Sequence, residues 1–395
     1  MKIGIDKIGM SIPSLYLDIV DLAHSRAVDE NKFLIGLGQE KMAITSVTQD
    51  IVTLGATACE KILNEDDKKN IDMVIVGTET GIDYSKASSI IIKDMLGIND
   101  FSRCIEIKEA CYGATAGIQM AYSHILRNPE SKVLVIASDI AKYGINSSGE
   151  STQGAGAIAL LITKNPRILE IETDCVYYTK DIYDFYRPNN EIYPLVDGVL
   201  SKNTYLSFLD KVFNRYLDKY SKNISDFSAI CFHIPYPKLG YKGLMQIAPE
   251  NEKLEKEFNN SVIYNKKIGN IYTGSIFLSF LSLIENSNTI KSGDRIGFYS
   301  YGSGAVAEFF SGILVEGYEK LLDIENNMKM LENRKRLSID EYEKIFFEKI
   351  EENKEYENIY NDKIWFKGIF NRKREYVKEK WVISKDFIIK AEMTE

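Results

Sequence analysis

Gly154-Ala155-Gly156-Ala157-Ile158-Ala159 recurs further along the chain as Gly302-Ser303-Gly304-Ala305-Val306-Ala307. Four of the six positions are identical, and Ile158 and Val306 are a conservative fifth. The same order of parts precedes each glycine turn. In the first half an apolar, strand-like run at 73–76 ends near Glu79, a helix opens at Cys111, and a further strand follows at 133–137. The glycine turn then leads into a strand at 158–162. In the second half a strand at 228–232 ends at His233, a helix opens just after Asn270, and a strand at 296–299 is closed by the second glycine turn. Short apolar runs alternating with helical periodicity, over 51–63, 115–126, 204–218 and 274–285, argue for an α/β fold. The repeated order argues for an internal duplication. The division it implies is residues 1–165, with Glu79 and Cys111, and residues 166–395, with His233, Asn270 and a charged C-terminal extension.

Duplication has a geometric consequence. If a pseudo-twofold axis relates the halves, Glu79 and His233 end equivalent strands, and Cys111 and Asn270 start equivalent helices. Open α/β sheets bind their ligands at the C-terminal ends of strands, so the four side chains are expected to meet in one pocket.

Cys111 lies in Glu109-Ala110-Cys111-Tyr112-Gly113-Ala114-Thr115-Ala116-Gly117, after a strand-like run at 103–107. At such a strand-to-helix corner unpaired backbone N–H groups and the helix dipole favour negative charge, which eases a thiol toward thiolate. The small residues after it suit a closely packed, interior helix with the cysteine at the bottom of a crevice. The plainer reading is a small core residue, the usual place of a free cysteine.

The other candidates each have a plainer reading too. Glu79 ends the run Met73-Val74-Ile75-Val76-Gly77-Thr78, where a carboxylate is either a turn acid in water or, if buried, a general base of raised pKa. His233 follows an apolar strand, where a satisfied core histidine is common; His24 and His124, the other two histidines, fall on helical patterns that read as surface. Asn270 serves either as a helix cap or to orient a carbonyl oxygen. The Gly302-Ser303-Gly304 turn is either a hairpin corner or, through the N–H groups of Ser303 and Cys111, an oxyanion hole. Lys238 and Lys242 follow the His233 strand and suit either solvent or phosphates. The loop 149–153 and the aromatic stretch 183–193 are long enough to shape a pocket.

Composition sets the bounds. A chain of 395 residues, 45% apolar, buries a real core. Its net charge of −8, from 49 basic and 57 acidic residues, argues against a general nucleic-acid binder. Five cysteines, at 59, 104, 111, 175 and 231, lack the spacing of a disulfide framework or a zinc site. No P-loop, HExxH or paired CxxC occurs, and Gly36-Leu37-Gly38 lacks the setting of a dinucleotide fingerprint. No metal or cofactor is expected. The sequence opens on a strand, Met1-Lys2-Ile3-Gly4-Ile5-Asp6, and shows neither a signal peptide nor a long apolar span, which fits the cytoplasm and no membrane. Beyond about residue 323 the chain is dense in Glu, Lys, Asn and Tyr, with Trp365 and Phe366 as apolar anchors for elements packed on the outside.

Several motifs taken in order, GTETGID around Glu79, KEACYGAT around Cys111, YGINSSGESTQGAGA, YPLVDG, CFHIPYPK around His233, GNIYTGS and SYGSGAVAEF, resemble bacterial hydroxymethylglutaryl-CoA synthase. GIDKI, NKFLIGLGQ and LVEGY fit as well, so the likeness runs almost colinearly to about residue 322. The resemblance implies a thiolase-like, duplicated five-layer αβαβα fold and a homodimer. It implies that Cys111 takes acetyl from acetyl-CoA, that Glu79 removes a proton from the acetyl methyl, and that His233 protonates the alkoxide formed when that carbon adds to acetoacetyl-CoA. Hydrolysis of the Cys111 thioester then releases 3-hydroxy-3-methylglutaryl-CoA, a step of the mevalonate route to isoprenoids. Asp29, Thr152, Ser201, Lys242, Asn270 and Ser303 resemble the family's ligand contacts. Three alternatives compete. One is a relative acting on carrier-protein-bound β-ketoacyl groups, with the same three residues. The second is a Cys-His-Asn ketoacyl synthase, which leaves Glu79 without a role. The third is a scaffold with a shielded, unreactive Cys111.

Overall fold

The strand-forming runs come together in a single mixed sheet in the computed structural model, which describes residues 1–382 and 390–392. In chain order its nine strands are β1 (Ile3–Ser11), β2 (Ile71–Gly77), β3 (Arg103–Ile107), β4 (Lys132–Ala141), β5 (Gly154–Lys164), β6 (Leu169–Thr179), β7 (Ala229–Phe232), β8 (Arg295–Gly302) and β9 (Val306–Leu314). They lie in the order β7-β8-β9-β6-β1-β5-β4-β2-β3. From the centre outward the first half runs β1, antiparallel β5, antiparallel β4, parallel β2, parallel β3. The second half repeats it as β6, antiparallel β9, antiparallel β8, parallel β7. Among the described residues only β3 lacks a counterpart strand. The halves join where β1 and β6 pair antiparallel, Gly4 opposite Glu170 and Ile5 opposite Leu169, as a twofold axis between them requires. A Cβ at Gly4 would fall 1.9 Å from the Leu169 carbonyl oxygen, so only glycine allows the join.

Alternation of side chains along each strand separates the layers. Met73, Ile75, Val133 and Val135 face a central pair of helices, whereas Val74, Val76, Leu134 and Ile136 face away. The central pair is α3 (Gly113–Arg127) and α7 (Ser275–Asn286). Ile118 and Ala121 of α3 and Ile276, Phe277 and Phe280 of α7 share one core with strands of both halves. Helix α7 is buried from Ser275 to Glu285, as a helix between two sheet layers must be, with Ser275, Ser279 and Ser282 along one strip of an otherwise largely apolar surface. The outer face of the first half is covered by α1 (Ile51–Glu60) and α2 (Ser88–Leu96). That of the second is covered by α4 (Gly198–Tyr220), α5 (Pro237–Ile247) and α6 (Glu252–Ser261). Helix, sheet, helix, sheet, helix: the five layers of the thiolase-like fold result. Each fully buried aliphatic or aromatic side chain in these cores contributes about 1.5–3 kcal/mol relative to exposure.

Several boundaries differ from the periodicity: β4 runs on to Ala141, β5 already begins at Gly154, so the first glycine motif is strand rather than turn, and two helices shift. Helix α4 begins at Gly198 because the Asp197 carboxylate accepts from the N–H groups of Val199 (3.1 Å) and Leu200 (2.9 Å), a cap outside the apolar pattern. Helix α1 stops at Glu60, before the apolar stripe ends. The C-terminal region forms helices Ile324–Glu332 and Ile339–Phe347 and a hairpin of Ile364–Phe370 with Lys373–Lys378. Trp365 and Phe366 anchor the hairpin, 7% and 0% exposed, and the Phe366 N–H donates to the Thr48 carbonyl at 2.7 Å. The end of the expected extension to residue 395 lies outside the described residues.

Candidate active site

Strand β2 delivers Glu79 and the β3–α3 corner delivers Cys111. They meet because Gly77 lets the strand end lie on the helix start: a Cβ there would come within 2.4 Å of the Ala114 nitrogen. The Cys111 thiol donates to Glu79 Oε1 at 3.2 Å. Beneath them lies Asp139 of β4, fully buried. One of its carboxylate oxygens accepts from the N–H groups of Glu79 (2.9 Å) and Thr80 (3.2 Å) and the hydroxyls of Thr78 and Thr80 (2.8 Å each). The other accepts from the Thr273 N–H at 3.2 Å. Asp139 thus ties the turn that carries Glu79 to the second half of the fold. Around the thiol stand Tyr143, Phe185 and Tyr272 in mutual edge-to-face contacts, their centroids 5.9–6.4 Å apart. Arg187 donates to the Glu79 carbonyl at 2.7 Å.

Electrostatics follow from this enclosure. Burial, reinforced by the charge of Asp139, lifts Glu79 well above the ordinary carboxylate range. Burial, and then Glu79 itself, pushes the Cys111 thiol far up. The expected easing toward thiolate is therefore corrected: Cys111 lies two residues before Gly113, where α3 begins, beside a carboxylate, and rests as a thiol. The carboxylate rather than the helix end is the group positioned to take its proton.

The helix-start pairing is corrected as well. Ala110 and Tyr272 both have positive φ, 41° and 44°, and each stands three residues before the first residue of its helix, Gly113 or Ser275. By that match Thr273, not Asn270, is the counterpart of Cys111, and the Thr273 hydroxyl accepts from the Ala114 N–H at 2.7 Å. Asn270, 3% exposed, lies just before it. Its side-chain oxygen accepts from the Tyr272 N–H (2.8 Å) and the Ser275 hydroxyl (2.9 Å). Because an N–H can only donate, that atom must be the oxygen, and the NH₂ is left to donate to something else. Asn270 is thus a local cap whose NH₂ stays outside these two bonds. Its backbone N–H donates to the Thr152 carbonyl at 3.2 Å, which brings half-buried Thr152 alongside.

His233 follows the last residue of β7, 1% exposed, with its N–H on the Tyr299 carbonyl (2.8 Å) and its own carbonyl held by the Tyr205 hydroxyl (2.9 Å). Burial lowers its pKa to about 3, so the ring is neutral near pH 7, and buried Nδ1 has no partner among the described residues. The ring is not hydrogen-bonded to Cys111 or Glu79. It shares their end of the sheet through β8, whose Tyr299 pairs with Phe232 and whose Gly302 abuts the Cys111 loop: a Cβ on Gly302 would lie 2.7 Å from the Glu109 carbonyl oxygen. Ser303 follows in that turn, which Asp184 anchors by accepting from the Tyr301 hydroxyl (2.8 Å) and the Gly304 N–H (2.9 Å).

The remaining predicted contacts are farther out. Ser201 is half-buried on α4, one turn before Tyr205 and on the same face. Exposed Lys242 lies on α5 with Lys238, whose N–H donates to the Leu37 carbonyl at 2.9 Å. That bond brings α5 to the segment that begins with exposed Asp29, the cap of the short helix Glu30–Leu34. His24 is exposed beside Glu30 and His124 pairs with Asp72, both at 3.1 Å, away from the site. Sequence reasoning missed Asp139 and Asp184. The signal for Asp139 was available, since a lone carboxylate inside the apolar run Val133–Ile140 has to be buried with partners.

Comparison with known proteins adds to the geometry. A family model described as the hydroxymethylglutaryl-coenzyme A synthase N terminal matches residues 1–167, and its C-terminal companion matches 171–251 and 241–370. The hydroxymethylglutaryl-CoA synthase of Enterococcus faecalis is 50% identical over 356 residues, 89% of this chain and 93% of the relative. A polyketide-biosynthesis 3-hydroxy-3-methylglutaryl-ACP synthase of Bacillus subtilis is 34% identical, over 87% of each chain. A crystal structure of an HMG-CoA synthase complexed with CoA superposes with a TM-score of 0.92 at 45% identity, covering 95% of this chain and 99% of that one.

Proposed function

Because the chain belongs to the hydroxymethylglutaryl-CoA synthase family, acyltransferases that form a carbon–carbon bond, we propose that Cys111, Glu79 and His233 carry its condensation of acetyl-CoA with acetoacetyl-CoA. The observation that supports this most is the Cys111–Glu79 hydrogen bond inside an aromatic enclosure. Glu79 takes the thiol proton as the sulfur attacks the acetyl-CoA carbonyl, CoA leaves as its thiol, and acetyl-Cys111 results. The same carboxylate next removes a proton from the acetyl methyl, which the thioester has acidified and covalent attachment holds beside it. The carbanion adds to the ketone of acetoacetyl-CoA. The oxygen of that ketone becomes an alkoxide, which receives through His233 the proton that Glu79 removed from the methyl group, so that Glu79 returns to carboxylate. A neutral imidazole suits that relay, since it can accept at one nitrogen while donating at the other. Water then cleaves the thioester to give 3-hydroxy-3-methylglutaryl-CoA and free Cys111.

In this reading the Asn270 NH₂ and the Ser303 N–H steady the carbonyl oxygens, and Thr152 and Ser201 line the acyl end of the site. Lys242, with Asp29 across from it, meets the CoA moiety. The protein works in the cytoplasm as a homodimer, on the route to mevalonate and isoprenoids. Free CoA thioesters are favoured over carrier-protein substrates by the higher identity to the CoA-named relative, 50% against 34%. The test is a side-by-side assay of acetoacetyl-CoA and an acetoacetyl-loaded carrier protein with acetyl-CoA as donor. Turnover of the CoA substrate alone fits the proposal. Preference for the loaded carrier protein overturns the substrate assignment.

A further inference from the structure

A cavity of about 470 Å³ that shares no lining residue with the Cys111 site lies between the end of β1, helix α1 and the C-terminal extension. Arg334 lines it and is 6% exposed. Its Nε donates to the Leu331 carbonyl at 3.1 Å, and its guanidinium carbon stands 5.0 Å from the Tyr16 ring centroid. Both Nη1 and Nη2 are buried without a partner among the described residues. A guanidinium cannot shed its charge to escape burial, so a charge held this way calls for a counter-anion.

A second lining group has the same need. The Ser14 hydroxyl is buried and unpartnered, and it is Arg334's neighbour. Leu15 pairs with Lys335 in a parallel ladder, and the Lys335 N–H donates to the Ser14 carbonyl at 2.7 Å. Lys61 lines the cavity as well, its ammonium bonded to the Met10 carbonyl (2.7 Å) and Met330 Sδ (3.1 Å), with Asp323 and Glu285 near enough to favour its charge. The wall also carries three acids, Glu60, Asp362 and Glu379. Glu60 is paired with Lys378. Asp362 accepts from Gln49 at 3.2 Å through one oxygen and has the other free, which disfavours a second acidic group on any ligand. Ile12 and Leu54 supply apolar wall between these polar ends.

We propose that this cavity binds a small amphipathic oxyanion, a carboxylate or phosphate monoester with its charge at one end, headed by Arg334 and Ser14 and with a short apolar chain on Ile12 and Leu54. None of these residues belongs to the proposed active site, so the inference stands apart from the reading of Cys111. The experiment is thermal-shift and calorimetric titration of the full chain with hexanoate, hexyl phosphate and 1-hexanol, in saturating CoA to occupy the substrate site. One or both anions stabilise the protein saturably and hexanol does not; the stronger anion identifies the head group. Arg334→Met weakens the anion by roughly tenfold or more, because the charge-assisted bonds are lost. The ligand-free variant stays folded, since an unpaired buried cation has been exchanged for an apolar chain of similar reach. Ser14→Ala provides the same test with the cation in place and weakens binding less. Absence of saturable binding by either anion, equal binding by hexanol, or unchanged affinity in Arg334→Met overturns the proposal.

Discussion

Replacing Glu79 by Gln separates the two halves of the proposed chemistry. In the wild type the carboxylate lies 3.2 Å from the thiol sulfur; burial and the charge of Asp139 raise the pKa of Glu79, and burial and Glu79 raise that of Cys111. Two negative charges about 4 Å apart oppose each other by about 4 kcal/mol at an effective dielectric of ~20, roughly a thousandfold in population. Thiolate and carboxylate therefore do not coexist, and a single negative charge is shared by the pair. Glutamine keeps the shape and removes both the charge and the base. The thiol pKa then falls, so Cys111 still becomes acetylated by acetyl-CoA, while loss of the base at the methyl group slows condensation by about 10²–10⁴-fold. Rapid-quench intact-mass spectrometry measures the first step and product formation measures the second. A Glu79→Gln enzyme that condenses within tenfold of wild type would refute the assignment of the base. One that cannot be acetylated would show that removal of the thiol proton by Glu79 is indispensable to sulfur attack.

Other outcomes follow from the same structure. His233→Asn should acetylate normally and condense at least about 10²-fold more slowly, read by the same two assays. Its effect on stability has a defined sign. The folded ring has a pKa near 3, below the ordinary 6.5, so between those values the unfolded chain binds the extra proton. Wild-type stability should fall by up to about 1.4 kcal/mol per pH unit as pH drops through that window, and Asn should flatten the slope in denaturant titrations. Glu308, buried in β9, accepts from the Tyr112 hydroxyl and from Gln119 at 2.6 Å, and so steadies the residue after Cys111. Glu308→Leu should lower the acetylation rate more than the acetyl-CoA KM, whereas Glu308→Gln, which keeps an acceptor, should recover most of it. Gly77→Ala should cost about 1–3 kcal/mol in thermal unfolding, since its methyl would press on the Ala114 nitrogen.

Much of this could be read in the chain because the duplication repeats both pattern and place. The second glycine motif marks the tight β8–β9 connection, whereas the first is itself paired strand at the start of β5, and the apolar alternation of 73–76 and 133–137 assigns each strand its two faces. Glu79 and Cys111 were legible as strand and helix termini that had to converge. The local electrostatics were not, because the state of a thiol depends on which carboxylate stands beside it, and Asp139 and Glu79 approach Cys111 only through tertiary contact. The Asn270 pairing failed for a related reason. The turn Tyr272–Gly274 stands between it and the helix, and the positive φ of Tyr272, which marks the true counterpart of Ala110, has no signature in a tyrosine. Helix α4 reaches back to Gly198 through a cap, which apolar periodicity does not register.

The central claim is that Cys111 carries the acetyl group. Brief mixing of the intact protein with acetyl-CoA, beside Cys111→Ala, tests it by mass. The account predicts one acetyl group on the wild type, none on the variant, and discharge of the adduct when acetoacetyl-CoA is added. A wild type that stays unmodified, or a variant acetylated to the same extent, contradicts it.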